Sequence, residues 1–197
     1  TERDTFALGL FHSTTRWFSE APRKADPASV KEAIQFLEEA KDSGGTELGV
    51  ALEQALGLRR ARGECARHVL IVTDAQVSDE GRILRLASRE SQRADRRRIN
   101  VLCIDAAPNS FLARELAERG GGVAKFLTSA PEEGDITTAL DEVLADWAEP
   151  VLTGLRLEVN RPEVQATGRE VIQTAAAGWS AIDLGDLPAG GAIWVIG

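Results

Sequence analysis

Apolar residues in this chain change their spacing near residue 150. Before it, short unbroken apolar runs take turns with stretches of helical period. Residues 68–72 are a short, mostly apolar run rich in β-branched side chains, ending abruptly at Thr73-Asp74. A run without polar alternation suits a strand buried on both faces. Residues 100–106 read as another buried strand, and 123–127 as the next strand. Residues 28–41 place Val30, Ala33, Ile34 and Leu37 at i, i+3, i+4 and i+7, the apolar face of an amphipathic helix that Asp26 or Ser29 can cap. Residues 47–58 do the same with Leu48, Ala51, Leu52 and Ala55, and residues 77–96 read as a further helix in which Ile83, Leu84, Leu86 and Ala87 are apolar. Further helices are predicted over 111–118 and 135–147. At the front, 5–11 and 15–18 read as a strand hairpin, followed by a loop over 22–27.

Strands alternating with helices predict an α/β fold: a doubly wound, mostly parallel sheet with helices on both faces. From residue 151 the period becomes two. Segments 155–159, 170–175, 180–184 and 192–196 predict a small antiparallel β appendage. Pro150 marks the boundary, giving a sheet domain over 1–149 and a C-terminal β segment over 150–197.

Composition narrows the partners. The net charge of −8 argues against nucleic acid and anionic membrane, which favour basic surfaces. No apolar run is long enough to span a bilayer. Cys65 and Cys103 form no CxxC or Cys/His cluster, so neither zinc nor a disulfide framework is expected, and a reducing, cytoplasmic compartment is favoured. The chain has no methionine and no tyrosine, so Thr1 reads as an internal position.

Two short motifs carry candidate chemistry. Gly44-Gly45-Thr46 opens a helix, and Thr73-Asp74 ends a strand. In open α/β sheets ligands gather at the carboxyl ends of the strands. A hydroxyl and a carboxylate converging there would suit a hard divalent cation such as Mg²⁺, with water completing its shell. Each also has a plainer role, because Thr and Asp are favoured helix caps. Asp105 ends the 100–104 run at the same edge. Asp79 and Glu80 fall at a helix start, where carboxylates are favourable. Gly120–Gly122 reads as a helix stop, and Arg93, Arg96, Arg97 and Arg98 as cations suited to a helix C-terminus. No nucleophile elbow, Walker motif or dinucleotide fingerprint occurs.

The order of these features, GlyGlyThrGluLeu and helix, apolar strand and ThrAsp, strand, ProAsn and helix, then GlyGlyGly, resembles the von Willebrand factor type A domain. More narrowly, it resembles the proteins in which that domain follows a VIT domain and runs into a β tail. The resemblance implies a metal-ion-dependent adhesion site built from three loops. Thr46 matches the threonine of the second loop and Asp74 the aspartate of the third, with Gly44, Gly45, Thr73 and Asp105 in supporting positions. The metal, Mg²⁺ or alternatively Mn²⁺ or Ca²⁺, would be completed by an acidic side chain of another protein. Two departures stand out. Ala75 replaces the glycine usual after the third-loop aspartate, and the first-loop Asp-x-Ser-x-Ser motif does not occur. The resemblance therefore implies a further strand and helix ahead of Thr1, or a strand donated by swapping in an oligomer, and weak metal binding without that loop.

The expectation is a non-catalytic protein–protein interaction domain working through the carboxyl edge of its sheet. Two alternatives remain open from sequence: a metal-independent assembly scaffold, and a hydrolase using Asp74 and Asp105.

Overall fold

In the computed structural model, residues 4–40, 47–60, 65–74, 77, 79–104, 109–127, 136–145, 150–160, 171–173 and 179–188 are described. The front of the chain holds β1 (Thr5–Phe6), β2 (Gly9–Phe11), β3 (Thr15–Trp17), β4 (Arg23–Lys24) and α1 (Pro27–Glu38). The middle holds α2 (Leu48–Gly57), β5 (His68–Thr73), α3 (Glu80–Ser91), β6 (Arg98–Ile104), α4 (Ser110–Arg119), β7 (Gly121–Leu127) and α5 (Ile136–Ala145). The tail contributes β8 (Pro150–Val159), β9 (Val171–Gln173) and β10 (Ser180–Pro188).

Strands β5, β6 and β7 form a parallel sheet in that order. Its middle strand, β6, is the one predicted over 100–106, while the 68–72 run, expected to be buried on both faces, forms β5 at one end of the described sheet, with Ile71 buried and Val72 exposed. Ile99, Asn100, Val101, Leu102 and Cys103 are all buried. Ile99, Val101 and Cys103 join a core with Leu48 and Leu52 of α2, Ile83 and Ala87 of α3, and Ala113, Leu116 and Ala117 of α4. Helix α5 packs on β6 and β7 and buries Ala139 and Val143, which lie outside that core cluster. Helices thus cover both faces, and the fold is α/β.

The tail forms an antiparallel sheet in the order β8-β10-β9. The expected strand over 192–196 lies outside the described residues.

The front differs from the sequence reading in two ways. The expected strand over 5–11 is broken. Its first part, β1, pairs with β4 from the stretch read as a loop, and its second part, β2, pairs with β3. Aromatic packing sets this arrangement: Phe6 stacks on Phe18 at 6.0 Å, and Phe18 meets Phe36 of α1 at 5.8 Å. The other difference is the face that α1 buries. Ser29 and Ala33 are buried and Phe36 is half-buried, while Val30, Ile34 and Leu37 remain 41%, 50% and 45% exposed. Phe36 is drawn to Phe18, which turns the helix away from its widest apolar stripe. Asp26 caps it by accepting from the Ser29 backbone N–H at 2.8 Å.

Two devices hold the amino edge of the parallel sheet. The first is a charge clamp. Buried Glu90 of α3 accepts from both arms of Arg60 and from the Arg97 backbone N–H at 2.7 Å. The Arg97 guanidinium donates to the carbonyls of Leu56 at 2.9 Å and Leu58 at 2.8 Å, satisfying the open end of α2. The second is Gly120–Gly122, which does more than stop α4. Gly121 has φ of 69°, open to glycine at little cost. At Gly122 a Cβ would collide with the Ile99 carbonyl and lie 2.8 Å from Asn100 Oδ1. The ladder shifts register here, and Asn100 Oδ1 takes the Val123 N–H at 3.1 Å in place of a backbone partner.

Gly122→Ala should therefore destabilise the chain by about 2 kcal/mol, in the range of an overpacked core, as read from urea unfolding. An unchanged midpoint would contradict this close approach.

Candidate functional site

Helices α2 and α3 run the same way. Early in both, Gly49 faces Arg82 and Ile83, with a built Cβ 3.5 Å and 3.6 Å from their side chains. Next to these contacts, Glu53 of α2 pairs with Arg82 of α3. Late in both, the Arg60 guanidinium donates to the Leu56 carbonyl and to Glu90, while Arg97 gives its guanidinium to Leu56 and its backbone N–H to Glu90. Their N-termini therefore open at one edge, the carboxyl edge of the parallel sheet. The N-terminus of α4 joins them, because the Asn109 N–H donates to the Asp74 carbonyl at 3.4 Å.

Asp74 follows directly on β5 and is half-buried at this edge. The Thr73 hydroxyl donates to Asp74 Oδ1 at 3.5 Å, a long contact. Thr73 pairs in register with Cys103 of β6. The Cys103 thiol is pushed up to about 11, by burial first and by the Asp74 charge second. That shift carries its own information: the Asp74 carboxylate acts on the neighbouring strand's end.

Around Asp74 stand the helix starts. Asp79 caps α3 by accepting from the Arg82 N–H at 3.3 Å, the role expected of a carboxylate at a helix start. Asn109 caps α4, accepting from Leu112 N–H at 3.1 Å, and its amide donates to Glu80 Oε1 at 2.8 Å. This Asn109–Glu80 bond ties the loop after β6 to the start of α3. The sequence shows an ordinary cap at Asn109, and nothing in the spacing signals its second partner. Both caps mark positive helix ends at the edge where Asp74 stands, a setting that favours negative charge.

Of the residues expected from sequence, Thr73 and Asp74 lie together at this edge. Thr46, Gly44, Gly45 and Asp105 lie outside the described residues. The residue after Thr46 is described. Glu47 occupies the N-cap of α2 without a side-chain cap bond, and its N–H donates to the His12 carbonyl at 2.8 Å. The helix that Thr46 precedes is thus anchored to the β2–β3 turn, with its start on the Asp74 side of the sheet.

The donor chemistry fits a hard cation of low protein coordination. A half-buried carboxylate at a sheet edge suits Mg²⁺, which keeps several waters and takes one or two carboxylates. Among the described residues no three His, Cys, Asp or Glu side chains come together as a metal cluster. A cation here would accordingly draw on Asp74, on hydroxyls and on water.

The sequence matches the family profile of the von Willebrand factor type A domain over residues 1–126. No curated protein matches it. Several solved structures share the fold. One is a von Willebrand factor type A protein from Catenulispora acidiphila, at 15% identity and a TM-score of 0.74, over 94% of this chain and 46% of that one. This chain thus spans less than half of that neighbour, and the alignment takes in most of the tail. Two others come from Bacteroides. An aerotolerance-related membrane protein from Bacteroides fragilis aligns at 17% identity and TM-score 0.59, over 73% of this chain and 79% of that one. The conserved hypothetical protein BatB from Bacteroides thetaiotaomicron aligns at 16% identity and TM-score 0.59, over 75% and 81%. In this chain no helix among the described residues is long and apolar enough to cross a membrane.

Exposed Cys65 should react with a disulfide reagent near pH 8, while buried Cys103, its thiol held protonated, should react only after unfolding. Equal labelling rates of both thiols in the folded chain would contradict this placement of Cys103 beside Asp74.

Proposed function

The chain belongs to the von Willebrand factor type A domain family, whose members are generally protein-interaction modules, and on that premise we propose that its carboxyl edge binds an acidic side chain of another protein through Mg²⁺. Asp74 and Thr46 supply the protein's ligands. Gly44 and Gly45 shape the loop before Thr46, and Thr73 and Asp105 line the same edge. The bound cation supplies a positive charge that a partner carboxylate can complete. This is recognition without catalysis.

The observation that carries the reading is the shared direction of α2 and α3. It brings the start of α2, whose N-cap Glu47 directly follows Thr46 in the sequence, to the edge where Asp74 stands. The helix N-termini beside Asp74 add to it, since they favour the partner's anionic group as well as Asp74 itself. Association with a VIT domain elsewhere in the same protein belongs to this reading too. It draws on the order of segments in the sequence, where the β tail follows the sheet domain, and on an alignment with the Catenulispora structure that covers 94% of this chain.

Calorimetric titration of the chain with Mg²⁺ and Mn²⁺ tests the proposal. Saturable binding is expected, weakened about tenfold or more by Asp74→Ala and by Thr46→Ala, with the far-ultraviolet circular dichroism unchanged. Absence of binding would favour a metal-independent scaffold. Binding that survives Asp74→Ala would move the site elsewhere.

A further inference from the structure

Asn109 bonds to both ends of the stretch that joins β5 to α3. Its backbone N–H donates to the Asp74 carbonyl at 3.4 Å, where β5 has just ended. Its side-chain amide donates to Glu80 Oε1 at 2.8 Å, where α3 begins. The same side chain caps α4 through Oδ1, which accepts from the Leu112 N–H at 3.1 Å. One residue of the neighbouring connection thus holds Asp74, Glu80 and the start of its own helix.

Capping alone does not call for asparagine. Asp and Ser cap a helix as well as Asn, because the cap needs only an acceptor oxygen. Asn adds an amide that donates. Aspartate at this position would keep the cap and set a second carboxylate against Glu80. Serine would have one polar atom for two partners. The amide meets an ionised acceptor in a part-buried setting, which makes it the stronger kind of hydrogen bond.

We infer that Asn109 is a positioning residue of the carboxyl edge: by clasping Asp74 and Glu80 it fixes where the Asp74 carboxylate stands, and so sets how tightly that edge holds a divalent cation. The inference rests on the cation reading given above. Asn109 acts through Asp74 and is not a ligand, since its oxygen accepts from Leu112 and its amide faces Glu80. Removing the hydrogen-bonded supports of a metal-binding group costs about tenfold or more in affinity.

Reversing the polarity of the Asn109–Glu80 bond tests this. Asn109→Asp keeps a cap and breaks the clasp, because two carboxylates repel. Glu80→Gln leaves an acceptor for the Asn109 amide. With both changes the new amide donates to the new carboxylate, and the bond returns in the opposite direction. Calorimetric titration with Mg²⁺ should show binding about tenfold weaker in Asn109→Asp, and within about twofold of the unsubstituted chain in Glu80→Gln and in the double variant. The charge added by Asn109→Asp would by itself tighten cation binding, so weakening reports position. A second readout needs no metal. In EDTA, exchange of the backbone amide hydrogen at position 109, followed by NMR, should be about fivefold faster in Asn109→Asp than in the double variant, which carries the same residue there. Unchanged Mg²⁺ affinity and unchanged exchange in Asn109→Asp would overturn the clasp and leave the cation reading standing. Losses that the double variant fails to restore would also overturn it, since the bond would not be their cause. No Mg²⁺ uptake by the unsubstituted chain, with exchange that still follows the bond, would sink the cation reading and support the clasp.

Discussion

The in-register pairing of β5 with β6 positions everything that matters here. It runs from His68 beside Arg98 to Thr73 beside Cys103. Strand β6 has its middle sealed under helices on both faces, so its hydrogen-bonding groups must be met by neighbouring strands. A slip of one residue would turn Ile99, Val101 and Cys103 out of the core that α2, α3 and α4 close over. Such a slip is therefore strongly disfavoured. With the register fixed, the ends of the strands are fixed as well, and so are the residues that stand there.

The two ends are chemically opposite. At the carboxyl edge Asp74 sits among helix N-termini, and its field reaches Cys103 on the next strand. At the amino edge the same helices finish, and arginines meet their last carbonyls. Parallel strands and right-handed crossovers place all helix starts on one side and all helix ends on the other. The polarity is a consequence of topology. The sequence had only to choose residues that suit each end, a carboxylate at one and guanidinium groups at the other.

Much of this was legible in the sequence. Strands β5 and β6 announced themselves as apolar runs, although only β6 is buried through its middle, and α2 announced itself by its helical period, with α3, α4 and α5 also read as helices. Asp74 was legible because a strand that ends in Thr-Asp leaves its carboxylate at a known edge. What failed to show was set by contacts distant in sequence. The stretch 5–11 broke because Phe6 answers to Phe18, and α1 followed the contact of Phe36 with Phe18 in preference to its own widest stripe. Gly122 looked like punctuation, although its lack of a side chain is demanded by Ile99 of a neighbouring strand. The link from Asn109 to Glu80 joins two loops far apart in the chain. Thr46 was proposed from its motif, and the placement of Glu47 and α2 bears on it from one residue away.

The central claim is that a cation at the carboxyl edge is held in part by Asp74. Its most direct test is a crystal of the chain soaked in Mn²⁺, read by anomalous scattering. The account predicts a single anomalous peak within direct bonding distance of an Asp74 carboxylate oxygen and of the Thr46 hydroxyl, about 2.1 Å for an ion of this class. A well-ordered edge with no peak, or a peak that touches neither residue, would contradict it.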